Sequence, residues 1–211
     1  MSPLAIFFFV SITISSLFST LGVEVSYQDT IPYENTIMAP WMDSFDKKPN
    51  VTLYVCFKED SCVVNGDTFG LKDTIEGPYV TLIGSELNEK DHYVYVCVDI
   101  DADNPRKPYA KNQVHWLVAN IVGSIQPYQH VADVGKTVVP YLQPHKDFFY
   151  KGDYGTHRYY NLVFKQSIAG QNVTFDGDVR HFSVRKFVRE NNLGYPMAGV
   201  LYKIDYNSKS D

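Results

Sequence analysis

Tyr93-Val94-Tyr95-Val96-Cys97-Val98-Asp99-Ile100-Asp101-Ala102-Asp103-Asn104-Pro105 is the stretch on which the fold turns. From Tyr93 to Val98 the chain is apolar at both parities, so a strand here has both faces covered and belongs in the middle of a sheet. At its far end the composition switches to three carboxylates, Asp99, Asp101 and Asp103, closed by a proline. A buried strand that runs out into a polar turn lets a rigid sheet present side chains to a ligand.

Short apolar runs separated by turn residues continue on both sides. Val51-Phe57, Tyr79-Ile83, Val94-Asp99, Val114-Val122 and Tyr159-Gln166 read as strands, with Met197 to Ile204 as a last one. There is no internal repeat and no long amphipathic helix, which predicts a mainly antiparallel β architecture. One helix is legible: Ser183 caps it, Val184, Phe187 and Val188 make an apolar stripe for core packing, and Gly194 stops it. The tail Asn207 to Asp211 has nothing to bury.

Two further segments carry polar groups at strand starts, His115-Trp116-Leu117-Val118 and Gly155-Thr156-His157-Arg158-Tyr159. Asp99 to Pro105 resembles the Asp-Pro-Asp-x-Pro signature of the phosphatidylethanolamine-binding protein family. His115 to Ile121 is similar to the histidine-led strand that follows it there. Gly155 to Tyr159 resembles that family's Gly-x-His-Arg motif, and Leu193-Gly194-Tyr195-Pro196-Met197-Ala198-Gly199 its late Leu-Gly-x-Pro-x-Ala-Gly segment. The four stand in the family's order and span most of the chain.

The resemblance implies a large central antiparallel sheet packed against a smaller one, with few short helices. It implies ligand-binding roles for Asp99, Asp101, His115, Gly155, His157 and Tyr159. The two histidines would flank the bound group, Asp99 would accept from a histidine or a ligand ammonium, and Tyr159 would supply a wall. Imidazole N–H groups donate to phosphate-like oxygens more strongly when charged, so anion binding is expected to tighten as pH falls through about 6.5. Arg158 is expected to be structural, forking onto a carboxylate such as Asp101. Gly155 serves either a positive-φ turn or close ligand approach.

The sequence also departs from the family. Ile100 and Asp103 stand where the signature has prolines, and Pro140 to Asp153 is a longer, aromatic segment with Phe148, Phe149 and Tyr150, followed by Tyr154. That segment is expected to rim the pocket. After Asp205 little chain is left for the terminal helix that family members often carry beside the site.

The first residues frame where the protein works. Residues 1–22 hold an apolar run and a Thr20/Gly22 pair suited to signal peptidase, with interleaved Ser and Thr that weaken a membrane-anchor reading. The absence of arginine there disfavours a mitochondrial presequence. Asn50-Val51-Thr52 and Asn172-Val173-Thr174 are glycosylation sequons, at Asn50 and Asn172. Three cysteines leave one unpaired, and Cys56 with Cys62 across a hairpin is the first choice, leaving Cys97 as a core thiol. Residues 23–211 are then a single secreted, extracellular domain, large enough for one core.

A net charge of -5 without a basic stripe argues against nucleic acid as a partner. The sequence lacks His-Glu-x-x-His, Gly-x-Ser-x-Gly and a phosphate-cradling glycine loop. No catalytic residue, no metal and no cofactor is therefore expected. The leading reading is a monomeric, secreted binder of a small anionic ligand or phospholipid headgroup. The alternative is a protein–protein regulator, such as an extracellular serine protease inhibitor or a signalling modulator, whose partner is a protease or receptor.

Overall fold

The computed structural model describes residues 51–58, 61–102, 112–123, 130–146 and 154–208. Along the chain come β1 (Val51–Lys58), β2 (Ser61–Cys62), β3 (Thr68–Gly70), β4 (Tyr79–Gly84), β5 (His92–Asp99) and β6 (Gln113–Val122). Then follow α1 (Val131–Val134), β7 (Lys136–Val139), β8 (Thr156–Gln166), α2 (Val184–Glu190) and β9 (Leu193–Asp205), with single 3-10 turns at Leu71–Thr74 and Val179–His181.

The strands form a small sheet, β2-β1-β4, and a large one, β3-β9-β8-β5-β6-β7. β5 lies between β8 and β6, the central place its double-sided apolar pattern requires. Its Tyr93, Tyr95 and Cys97 share one core with Val51, Leu53 and Val55 of β1 and Val80 and Leu82 of β4. On the other face, Val94, Val96 and Val98 pack with Phe182, Val184 and Phe187 from and beside α2. The large sheet is thus covered by the small sheet on one side and by α2 on the other. β1 shows the half-covered counterpart: buried residues alternate strictly with half-buried ones from Val51 to Phe57.

One expectation needs correcting. The large sheet is mixed, because β3 runs parallel to β9 while its other pairs are antiparallel. The turn before β3 docks its backbone on the open edge of β9: Gly66 N–H donates to Leu201 O at 2.8 Å and Lys203 N–H to Asp67 O at 2.7 Å. β3 then continues alongside. Three residues are too few to show a period in the sequence.

Cys56 and Cys62 are cross-strand partners and are joined by a disulfide. Cys97 is free and buried against the Tyr202 hydroxyl at 3.7 Å, and burial pushes its thiol pKa up to about 12. Ser183 caps α2, its Oγ accepting from Lys186 N at 3.3 Å. The stop, however, is not Gly194, which already lies in β9. Asn191 ends the helix, its Nδ2 donating to Phe187 O at 3.0 Å and to Thr174 O at 3.1 Å. Asn192 then takes the left-handed turn at φ 50°, a conformation asparagine tolerates. Residues 1–22, Asn50, Asp103, Phe148, Phe149 and Tyr150 lie outside the described residues.

Candidate ligand-binding site

Four strand ends meet at one margin of the large sheet. Because β5 is antiparallel to both neighbours, its last residue, Asp99, pairs with Gln113 at the start of β6 and with Tyr159 near the start of β8. In β8, His157 pairs with Ile204, which brings the end of β9 to the same place. Side chains separated by up to about half the chain therefore converge around a cavity of about 380 Å³.

Asp99 organises its floor. It is 1% exposed, its Oδ1 accepts from Asp101 N at 2.8 Å, and its Oδ2 lies 2.8 Å from His157 Nδ1. His157 Nε2 faces a second acceptor, Tyr154 O, at 3.2 Å. With acceptors at both nitrogens, the ring is held doubly protonated. Burial works against the charge, yet the hydrogen bond and charge of Asp99, with Asp101 and the Tyr154 carbonyl, outweigh it and raise the pKa.

His115 has the opposite environment. β6 carries a bulge there: Cys97 pairs with Trp116 and Val98 with Val114, so His115 is the inserted residue. It straps the following loop to the sheet, since its carbonyl accepts from Leu142 N at 2.7 Å and its Nδ1 lies 2.7 Å from Leu142 O. Its ring stands edge-on to Tyr159, centroids 5.1 Å apart. Burial, the largest influence, lowers its pKa despite Asp99 nearby, so this imidazole is neutral where His157 is charged.

Of the six residues assigned to binding, Asp99, His115 and His157 line the cavity, and Asp101, Gly155 and Tyr159 do not. Asp101 receives a two-pronged bond from Arg158, Nε to Oδ2 at 2.7 Å and Nη2 to Oδ1 at 2.8 Å, and also accepts from Arg158 N. This pair fastens the loop after β5 to β8. Gly155 takes φ 71°, and its carbonyl accepts from Tyr206 N at 3.0 Å. Tyr159 is fully buried beneath the cavity, with its hydroxyl bonded to that of Tyr206. Tyr206 is the wall: it lines the cavity, its ring 4.2 Å from that of His157 and stacked 5.9 Å from that of Tyr154.

A family model described as "Phosphatidylethanolamine-binding protein" matches residues 60–203. The chain belongs to the phosphatidylethanolamine-binding protein family. Relatives include CEN-like protein 1 of Nicotiana tabacum, 31% identical over 161 residues, covering 76% of this chain and 83% of that protein. Protein SELF-PRUNING of Solanum lycopersicum is 30% identical over 158 residues, covering 73% and 81%. Among solved structures, a carboxypeptidase Y inhibitor complexed with its cognate proteinase superposes with a TM-score of 0.62 at 16% identity, over 94% of this chain and 98% of that one. That likeness is one of fold.

In this family member, four cavity residues lay outside every segment that the sequence assigned to the site: Gln113, Val179, Arg180 and Tyr206. Gln113 opens β6 opposite Asp99, and that cross-strand pairing brings it to the cavity. Arg180 sits in the 3-10 turn before α2, held to the sheet by Phe182 N donating to Asn112 O at 2.9 Å. That turn comes from a segment with no period and no motif, so nothing in the sequence pointed Arg180 at the site. The loop Pro140 to Asp153 contributes Leu142 and His145 to the lining.

Proposed function

We propose that this chain is a secreted, non-catalytic binding protein whose cavity holds a small anionic group, with a phospholipid headgroup as the ligand class. The observation that carries this is a 380 Å³ cavity whose lining joins the Asp99–His157 pair to the guanidinium of Arg180. Its size falls in the roughly 300–1,000 Å³ range of small-molecule sites. Arg180 brings a guanidinium to the lining, and the buried pair beneath it is already neutralised internally.

The pairing also argues for holding over turning over. General acid–base work needs a group that can give or take a proton at the substrate. Here both oxygens of Asp99 and both nitrogens of His157 are engaged with protein groups. Export is supported by the leader-like residues 1–22, by the sequons and by the Cys56–Cys62 disulfide, which suits an oxidising compartment. Asn172 is exposed and so open to a glycan.

Calorimetric titration with phosphorylethanolamine tests the reading. Saturable binding is expected, weakened at least about tenfold in Arg180→Gln, because a charged hydrogen bond is worth about 1.5–3 kcal/mol. Absence of binding by the unaltered protein contradicts the proposal. A second reading, regulation of an extracellular protease or receptor, is favoured by the shared fold with the carboxypeptidase Y inhibitor. Partner capture that survives His157→Ala would support that surface-based role.

A further inference from the structure

The hydrogen bonds already made by the two histidines fix what each has left for a ligand. The carbonyl of Leu142 can only accept, so His115 Nδ1, 2.7 Å away, carries the proton. In a neutral ring the other nitrogen is then a bare acceptor. His115 lines the cavity, and its Nε2 has no hydrogen-bond partner among the described residues. His157 spends both of its protons on Asp99 and Tyr154. Neither ring has a proton to offer an anion.

The donors lie elsewhere on the lining. Arg180 supplies guanidinium N–H groups, and Gln113 a carboxamide whose side chain makes no hydrogen bond among the described residues. A cavity with donors at Arg180 and Gln113 leaves the open acceptor of His115, its Nε2, covered and unsatisfied beneath any bound anion that only accepts. An unpaired buried polar atom costs about 1–3 kcal/mol. We infer that the site selects an anion that also donates a hydrogen bond, with its anionic oxygens toward Arg180 and Gln113 and its donor on His115 Nε2. This rests on the headgroup reading above and adds the ligand's polarity to it.

The donor can be a phosphate hydroxyl or a headgroup ammonium, and two matched pairs of probes separate these sources. Hydrogenphosphate and sulfate have the same shape and charge at about pH 8, above the ordinary histidine range near 6.5, and only hydrogenphosphate donates. Glycerophosphoethanolamine and glycerophosphocholine differ in whether the ammonium carries N–H. Calorimetry on the intact protein is expected to show at least about a tenfold preference for the donor in one pair or both. A preference confined to the first pair places the donor on phosphate; one in the second places it on nitrogen.

Equal affinity within both pairs overturns the inference while leaving anion binding intact. Failure of all four to bind overturns the headgroup reading as well. The groups facing the His115 ring are Asp99 from β5, His157 and Tyr159 from β8, and His145 from the loop. Protonating that ring would turn its acceptor into a donor. The preference in the glycerophosphoethanolamine and glycerophosphocholine pair, whose charges stay the same over this range, is therefore expected to collapse as the pH drops below His115's own titration in the same unaltered protein. A preference that persists unchanged to that pH also contradicts the inference.

Discussion

Asp99 decides the charge state of the cavity and much of its local order, because one buried carboxylate serves both a backbone N–H and the His157 ring. Asp99→Asn should cost about 3 kcal/mol near pH 6, the scale of breaking a buried pair from one side. The pH dependence follows from the raised pKa of His157. Such a histidine binds its proton more tightly folded than unfolded. Its contribution is whole below about 6.5 and is lost as the pH rises through the higher native value. Denaturant titrations across that window should show the gap between wild type and Asp99→Asn narrowing as pH rises; a constant gap would separate Asp99 from the charge on His157. The same chemistry moves the expected pH step for ligand binding. With His157 already charged and His115 kept neutral by burial, the gain in positive charge comes below 6.5, not through it.

At the scale of elements, the bulge in β6 and the alternation in β5 differ in how openly the sequence shows them. The double-sided apolar run of β5 and its polar end, Asp99 to Ala102, are visible because burial on both faces leaves no polar parity. The bulge that inserts His115 is invisible, since register arises only when Cys97 meets Trp116 and Val98 meets Val114. Tyr159 was legible as a residue of the right segment but not as lying under the cavity, and Tyr206 looked like the first residue of a tail. The Cys56–Cys62 closure belongs to this scale too. A loop with a sequence separation of 6 restricts the unfolded chain modestly, so replacing both cysteines with serine should lower stability by about 2 kcal/mol in chemical denaturation. No change would mean that the β1–β2 pair holds itself.

For the molecule as a whole, one large sheet with different cover on its two faces explains why the site sits where it does. The core shared by both sheets ends at Asp99, His157 and Tyr206, and the cavity opens where apolar cover stops. The order of four motifs revealed the family, but the sequence held no sign that Arg180 would be carried to this margin by the turn before α2. If the protein is exported, enzymatic deglycosylation of material secreted from a eukaryotic host should sharpen and lower its apparent mass, and Asn172→Gln should remove part of that change. An unaltered mass in both cases would argue against the Asn172 sequon being used. The most direct test of the cavity as a headgroup site is imidazole NMR during titration with phosphorylethanolamine. A saturable shift of the His115 signals, with the exposed His181 unmoved, is the expected result; His115 signals that stay in place to saturating probe would contradict it.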